Sequence, residues 1–169
     1  IVWLFVAGWY GTAMFARMQH LISPLLSVPH AAAAFGLAFL IAPSGIILRV
    51  LSPWLTGFER PPDWLLLQDP NGIALTAGLV MKEIPFLLLV TLAALPQTPA
   101  GQAARVSGSM GYGRIAGFTF TTWPLVYRQI RLAVFAVIAF ATSTVDVALV
   151  LGPATPPTLA VKLTQWMSD

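Results

Sequence analysis

The sequence contains no cysteine and very little charge. Aspartate, glutamate, lysine and arginine together make up 9% of its 169 residues, whereas soluble domains carry about 25%. The absence of cysteine excludes disulfides and thiolate metal sites within this sequence. Hydrophobic residues make up 57%, and the mean hydropathy is +0.80. A soluble fold of this length could not bury so much apolar surface, so the composition predicts an integral membrane protein in contact with the lipid bilayer.

Several functional signatures are also absent from the sequence. It contains no Gly-x-x-x-x-Gly-Lys-Ser/Thr loop, so we expect no ATPase site and no catalytic residue. His20 and His30 have no partner ligands within motif spacing, so we expect no metal and no cofactor. The net charge of +3 is too small and too dispersed to indicate a nucleic-acid partner. No signal peptide is visible, and Ile1 already lies in an apolar run, which leads us to expect a fragment of a longer chain.

Four apolar runs predict an all-α, polytopic transmembrane helical bundle that forms one truncated domain over residues 1–169. The runs cover about residues 1–15, 31–50, 73–95 and 132–151. A bilayer core of about 30 Å needs about 20 apolar residues, so the first run is expected to be the end of a truncated helix. Pro43 and Gly45 are expected to bend the second span, and Pro85 the third, because proline removes a backbone donor.

The distribution of basic residues predicts how these spans are oriented in the membrane. If the spans alternate, one side of the membrane receives five arginines and no acidic residue: Arg17, Arg105, Arg114, Arg128 and Arg131. The other side receives three basic and four acidic residues: Arg49, Arg60, Lys162, Glu59, Asp63, Asp69 and Asp169. The positive-inside rule therefore places residues 16–30 and 96–131 in the cytoplasm, and residues 51–72 and 152–169 outside.

Residues 102–108 differ from the rest of the 96–131 loop. They are small and nearly uncharged, unlike a solvated connector. Ala103 and Ala104 favour a helix and let another backbone come close, and Gly108 is expected to end that helix in a left-handed conformation. A short helix of this kind can lie on the membrane surface and sit in a groove of a partner protein, while the alternative is an ordinary surface turn.

This segment resembles the cytoplasmic coupling loop of permease subunits in binding-protein-dependent ABC importers. The family pattern is Glu-Ala-Ala, three residues, Gly, nine residues, and then Ile-x-Leu-Pro. Ala103, Ala104 and Gly108 match that pattern in spacing, and Arg105-Val106 continues it in the usual way. The resemblance implies that the chain touches an ATPase subunit here.

Two positions depart from the family pattern. Gln102 stands where the family has Glu, which weakens a salt bridge from this position to the ATPase. Pro124 comes three residues later than the pattern places its proline, so the second half of the loop is expected to be built differently. The resemblance still implies a coupling surface made of Gln102, Ala103, Ala104, Arg105 and Gly108.

Other stretches are similar to the same family. Residues 82–88, followed by Leu95-Pro96, resemble the helix that enters the coupling loop in permeases of the thiamine, iron and sulfate type. Residues 144–148 and 158–161 are similar to their acidic-residue helix and the outer loop after it. A branch of fused, thiamine-like permeases has stretches similar to residues 111–114 and 149–157.

The resemblance implies a type I importer permease in a bacterial inner membrane, crossing it several times and forming half of a translocation pathway. It also implies three protein partners. These are a cytoplasmic ATP-binding subunit, a periplasmic substrate-binding protein, and a second permease half that is either fused or separate.

Three charged residues lie within the apolar runs. Each charge at mid-bilayer costs about 2.5–3.5 kcal/mol, so Lys82, Glu83 and Asp146 should face protein or water. Counting along their helices places Lys82 and Asp146 both about 20 Å from the cytoplasmic surface, so the two could pair. Glu83 points about 100° away and could face the second permease half. The charges are either a structural ion pair or part of the pathway.

Two alternative functions use the same charges. The first is a secondary transporter driven by an ion gradient, with Lys82, Glu83 and Asp146 as a proton or ion relay. The second is an intramembrane enzyme with Glu83 and Asp146 as catalytic carboxylates. The relay leaves residues 102–108 unexplained, and the enzyme lacks a supporting histidine or paired acidic motif.

Overall fold

The computed structural model of the chain describes residues 1–10, 12, 17 and 20–168. Within these residues the secondary structure is helical and contains no strand. The predicted all-α class is therefore confirmed. Residues 11 and 13–15 of the first predicted span, residues 16, 18 and 19 of the next loop, and Asp169 lie outside the described residues.

Helices of very different lengths follow one another along the chain. The α-helices with described bounds are α1 (Val2–Trp9), α2 (His30–Ile41), α3 (Ile46–Leu51), α4 (Ile73–Ala94), α5 (Ala100–Ser109), α6 (Arg114–Gly117), α7 (Trp123–Ser143), α8 (Asp146–Leu151) and α9 (Leu159–Ser168). Residues 20–22 are also helical. Two 3-10 helices cover Ser23–Ser27 and Leu95–Gln97, and a π-helical turn covers Phe118–Thr122. Because this turn follows α6 directly and α7 follows it, residues 114–143 form one uninterrupted helical stretch.

Three helical segments are long and apolar enough to cross a membrane. They are His30–Leu51, Ile73–Gln97 and Arg114–Ser143. No more than 28% of the most apolar part of any of them is buried within the chain. Most of their apolar surface is therefore free to contact lipid or other membrane helices.

The chain divides into two compact units. The first consists of Ile1–Ser27 and Glu83–Ala139, and its core includes Val6 of α1, Leu95 after α4, and Val126 and Ile130 of α7. Val126 and Ile130 are four residues apart, so they lie on one face of α7.

The second unit consists of Val28–Lys82 and Phe140–Asp169. Its core includes Ala34 of α2, Ala74 of α4 and Leu151 of α8. A Cβ added to Gly78 would lie 2.5 Å from a methyl group of Leu151. The glycine thus allows α4 and α8 to approach closely, as small residues do between membrane helices.

The ends of the predicted spans differ from the observed helices in two places. The 31–50 span is divided into α2 and α3 by residues 42–45, where Pro43 and Gly45 lie. A Cβ on Gly45 would be 2.5 Å from the Phe39 carbonyl oxygen, so this bend requires glycine. The 73–95 span agrees with α4, which continues through Pro85.

The fourth predicted span, 132–151, is placed differently in the structure. The α7 helix begins at Trp123 and ends at Ser143, and α8 begins at Asp146. The two residues between them, Thr144 and Val145, are β-branched and favour the helix interior poorly, and Asp is favourable in the first turn of a new helix. Much of the predicted 96–131 loop is also helical, since α5, α6 and the start of α7 lie in it.

Asp69 fixes the start of α4. Its two carboxylate oxygens accept hydrogen bonds from the backbone N–H groups of Ile73 at 2.9 Å and Ala74 at 3.0 Å. These donors have no partner inside the helix, so the carboxylate completes the helix end. The N–H donors of Ala74 and then Ile73 lower the pKa of Asp69 below its ordinary value of 3.8, although burial acts in the opposite direction.

Candidate functional site

The α5 helix contains the segment that resembles a coupling loop. It covers Ala100–Ser109 and follows Pro99, which precedes the first helical residue. The short helix predicted at residues 102–108 is thus present and is longer by a few residues. Our prediction that Gly108 ends it in a left-handed conformation is wrong. Gly111 has the positive φ, +80°, because the helix continues to Ser109 before the chain turns.

One face of α5 is buried against the chain. Ala100 and Ser107 are buried and Ala103 is half-buried, at the spacing of three and seven residues that defines one helix face. Gly117 of α6 lies on this face. A Cβ there would be 2.6 Å from the Ser107 hydroxyl oxygen and 3.1 Å from its Cβ.

The π-helical turn adds a second contact to the same face. The Thr121 hydroxyl donates to the Gly117 carbonyl at 2.7 Å and lies 3.4 Å from the Ala103 carbonyl. Trp123 N–H donates to the Phe118 carbonyl, five residues back. The wide turn lies directly ahead of Pro124, which cannot donate to Phe120 and would crowd its carbonyl in an ordinary α-helix.

The opposite face of α5 is exposed and carries most of the predicted coupling residues. Gln102, Ala104, Arg105 and Gly108 are exposed, whereas Ala103 is half-buried. Large apolar side chains are exposed beside them on Val106, Met110, Tyr112 and Ile115. A surface that combines small, apolar and cationic side chains is suited to contact with another protein.

Arg114 connects this region to α1. Its guanidinium donates to the Ala7 carbonyl at 3.2 Å and to the Tyr10 carbonyl. Both acceptors lie at the C-terminal end of α1, where carbonyl groups lack intrahelical donors and a cation is favourable. The sequence analysis assigned Arg114 to the cytoplasmic side but missed this contact, because no motif connects positions 7 and 114.

A cavity of about 390 Å³ lies between α1 and the α5–α6 region. Its lining includes Ala104 and Gly108 from α5, Val6 and Tyr10 from the α1 side, and Arg114. A Cβ added to Gly108 would meet nothing within 4 Å. The small residues therefore leave space beside the helix rather than a tight contact within the chain.

The charged side chains in and around α5 are all positively charged. Residues 84–145 contain four arginines and no aspartate or glutamate. Arg105 is exposed on α5, whereas Arg114 is used at the end of α1. The surface that α5 presents is thus cationic, as expected for a segment at the cytoplasmic side of a membrane.

The structure gives Lys82 a backbone hydrogen-bond partner. Lys82 is 4% exposed, and its ammonium donates to the Val28 carbonyl at 2.6 Å. Asp146 is exposed, and the ion pair that we predicted between it and Lys82 is not formed among the described residues. The count along a continuous span failed because Asp146 follows the break at residues 144–145 and begins a new helix. Glu83 is half-buried and belongs to the first unit.

A metal centre is not apparent in the part of the chain that the structure describes. Within residues 1–10, 12, 17 and 20–168, no three His, Asp or Glu side chains are grouped so that they could hold a metal ion. His30 instead packs against Phe140, with ring centroids 4.5 Å apart.

Comparison with known proteins identifies a relative. No protein-family model and no solved structure matches the chain. The chain is, however, 35% identical over 164 residues to the inner membrane ABC transporter permease protein YnjC of Escherichia coli (strain K12). This chain is similar to part of an ABC transporter permease. The match covers 97% of the chain and 30% of the relative, so the chain spans under a third of that permease's length.

The match agrees with the general resemblance seen in the sequence. A relation to ABC transporter permeases, expected from residues 102–108 and their surroundings, is confirmed by the similarity over almost the whole chain. The name of the permease relative specifies neither a substrate nor a direction of transport.

Proposed function

We propose that this chain is part of the transmembrane permease subunit of an ABC importer in a bacterial inner membrane, which it crosses several times. It would form half of the substrate translocation pathway and couple to a cytoplasmic ATPase subunit through α5. The observation that carries this proposal is the exposed face of α5, which lies between two membrane-length helical segments. The similarity to a named ABC transporter permease supports it.

The packing of α5 supports a role in transmitting movement. Ser107 and Thr121 join α5 to the residues around Gly117, and the chain continues without a break into α7. Arg114 joins the same segment to the end of α1. A displacement of α5 by a closing ATPase would thus act directly on two other helices, because close-packed elements move as units.

We propose three protein partners for this permease. The first is a cytoplasmic ATP-binding subunit, needed because residues 1–169 contain no phosphate-binding loop. The others are a periplasmic substrate-binding protein and a second permease half. The permease relative is over three times longer than the matched part, which supports a fused second half. The resemblance of residues 82–88 supports a place near the thiamine, iron and sulfate type permeases.

Co-purification of the ATPase subunit with α5 variants tests this function. Gly108→Val adds bulk where a Cβ meets no neighbour in the chain, and Ala104→Asp places an anion on the exposed face. Each variant should leave the membrane helices folded and reduce ATPase recovery, normalised to permease abundance, by roughly tenfold, which corresponds to about 1.4 kcal/mol of association energy. Gly36→Val is the matched control, since Gly36 is also an exposed helical glycine with open space at its Cβ.

The opposite result would reject the docking role. If both α5 variants recover as much ATPase as the Gly36→Val control and transport is unchanged, α5 is an ordinary connector. The ion-gradient transporter would then have to be reconsidered. That alternative leaves the exposed face of α5 without a role.

A further inference from the structure

The helical path of the chain is interrupted just before α2. A 3-10 helix ends at Ser27, and α2 begins at His30 after Pro29. Proline disfavours a helical conformation in the residue before it, so Val28 is held outside the helix. The first turn of α2 is closed by Ala33 N–H donating to the Pro29 carbonyl. The Val28 carbonyl thus lies one residue outside this ladder.

Lys82 supplies a hydrogen-bond donor to that carbonyl. Its ammonium lies 2.6 Å from the Val28 oxygen, and only 4% of the residue is exposed. A buried ammonium needs an acceptor, and the carbonyl of Val28, outside the helix, supplies one. The two residues satisfy each other across 54 positions of the sequence.

The contact also shows which part of α4 lies beside the start of α2. Lys82 is nine residues after Ile73, so Val28 lies about 14 Å along α4 and about 18 Å from its end at Ala94. We predicted His30 near the cytoplasmic end of its span, which would place it beside the last turn of α4. The structure instead places the start of α2 beside the middle of α4. Pro29 accounts for the interruption of the helix at this point.

Both residues also lie where the chain passes between the two compact units. Val28 is the first residue of the second unit, and Lys82 is the last residue of its first segment. The hydrogen bond therefore joins two of the three points at which the chain enters or leaves this unit. Pro29 and Pro85 are close in sequence to these points; Pro29 precedes α2, and Pro85 removes a backbone donor inside α4.

We propose that Lys82 is a positioning residue that fixes the interrupted start of α2 against the middle of α4. Its ammonium donates to the Val28 carbonyl at 2.6 Å. This role does not depend on which protein binds α5. It differs from the two roles that the sequence suggested for Lys82, an ion pair with Asp146 and a charge on the pathway.

A spin label at residue 28 tests this role directly. The label is introduced as Val28→Cys in the full-length protein, after removal of any cysteine outside these cysteine-free 169 residues. Lys82→Met removes the donor but keeps the length of the side chain. The ratio of mobile to immobile label should then rise about fivefold, since losing a bond of this kind changes a local opening equilibrium by that order.

Two controls separate a local effect from a general one. Lys162→Met removes the exposed lysine of α9, whose ammonium lies 5.2 Å from the Trp166 ring centre, and should leave the label at residue 28 unchanged. A label at Leu159→Cys, an exposed position in the same unit, should not respond to Lys82→Met. Lys82→Arg keeps a cationic donor and should restore most of the immobile signal.

The proposal is overturned if Lys82→Met leaves the label at residue 28 immobile, or if it loosens the labels at 28 and 159 equally. It is also overturned if Lys82→Arg behaves like Lys82→Met. If the Lys82→Met protein does not accumulate in the membrane, the mobility of the label at residue 28 is measured in the Lys82→Arg protein instead. An immobile label at residue 28 then supports the proposal, and a mobile one rejects it.

Discussion

Gly117 lies so close to Ser107 that a Cβ at position 117 would be 2.6 Å from the serine hydroxyl oxygen. The serine is on the buried face of α5, and the glycine is at the end of α6. This pair holds α5 closely against the segment around Gly117, which gives the proposed coupling surface a fixed support. A surface helix that passes movement to other helices needs such a support, because a loosely attached helix would move alone.

Gly117→Ala should therefore loosen α5. The added methyl group would lie 2.6 Å from the Ser107 hydroxyl oxygen and 3.1 Å from its Cβ, so the Ser107 side chain must move and the contact between the two segments must widen. We expect a loss of about 1–3 kcal/mol in the free energy of unfolding, as for other overpacked sites. Denaturant titration in detergent measures the change.

Gly108→Ala is the matched control for that substitution. Its new Cβ meets nothing within 4 Å, and alanine favours a helix interior over glycine by roughly 0.5–1 kcal/mol. Stability should be unchanged or slightly higher. Ser107→Gly should rescue Gly117→Ala, since it removes both close atoms. Equal stability of the Gly117→Ala and Gly108→Ala proteins would contradict the close contact.

The orientation of the loop gives a second prediction. A single cysteine introduced as Ser109→Cys at the exposed end of α5 should react only from the cytoplasmic side. An impermeant maleimide should label it in inverted vesicles and not in intact spheroplasts. Labelling in spheroplasts would reverse the orientation and remove α5 from reach of an ATPase.

Lys82 and Asp146 should act independently on stability. The first donates to Val28, and the second is exposed at the start of α8, so neither charge compensates the other. In a double-mutant cycle with Lys82→Met and Asp146→Asn, the interaction energy should stay within about 0.5 kcal/mol of zero. A coupling well above that value would show that the two side chains pair in the membrane.

Asp69 gives a prediction on pH. Its pKa is lowered in the folded protein, so its contribution to stability is complete above the ordinary value of 3.8. The contribution is lost as pH falls below 3.8 through the lowered folded-state pKa. Asp69→Asn should thus be less stable than the wild type at neutral pH, and the difference should shrink as the carboxylate is protonated.

Unfolding measured at neutral pH and below 3.8 tests the role of Asp69. Asp63→Asn is the control, because Asp63 is an exposed aspartate in the same segment. A pH-independent difference between Asp69→Asn and wild type would show that the carboxylate charge does not fix the start of α4.

The comparison of α5 with its neighbours shows what local sequence can predict. The alanines of residues 100–104 favour a helix wherever they lie, so the helix itself was predictable. Its end was not, because Gly108 and Gly111 are both able to adopt a positive φ, and the packing of Ser107 on Gly117 extends the helix past the first of them. The hydrogen bonds of Arg114 could not be predicted from local sequence either, because their acceptors are 104 and 107 residues away in sequence.

The sequence by itself determined that this is a helical membrane protein, since it has little charge and its apolar runs are long enough for helices to cross a bilayer. It also determined the position of α4 and the presence of α5, because both depend on composition over neighbouring residues. Only the tertiary structure decided where the buried charge of Lys82 goes. The acceptor is the backbone carbonyl of Val28, which lies outside α2 because Pro29 follows it, and no pattern of side chains reveals such an acceptor. It lies next to Lys82 because the fold brings the start of α2 beside the middle of α4.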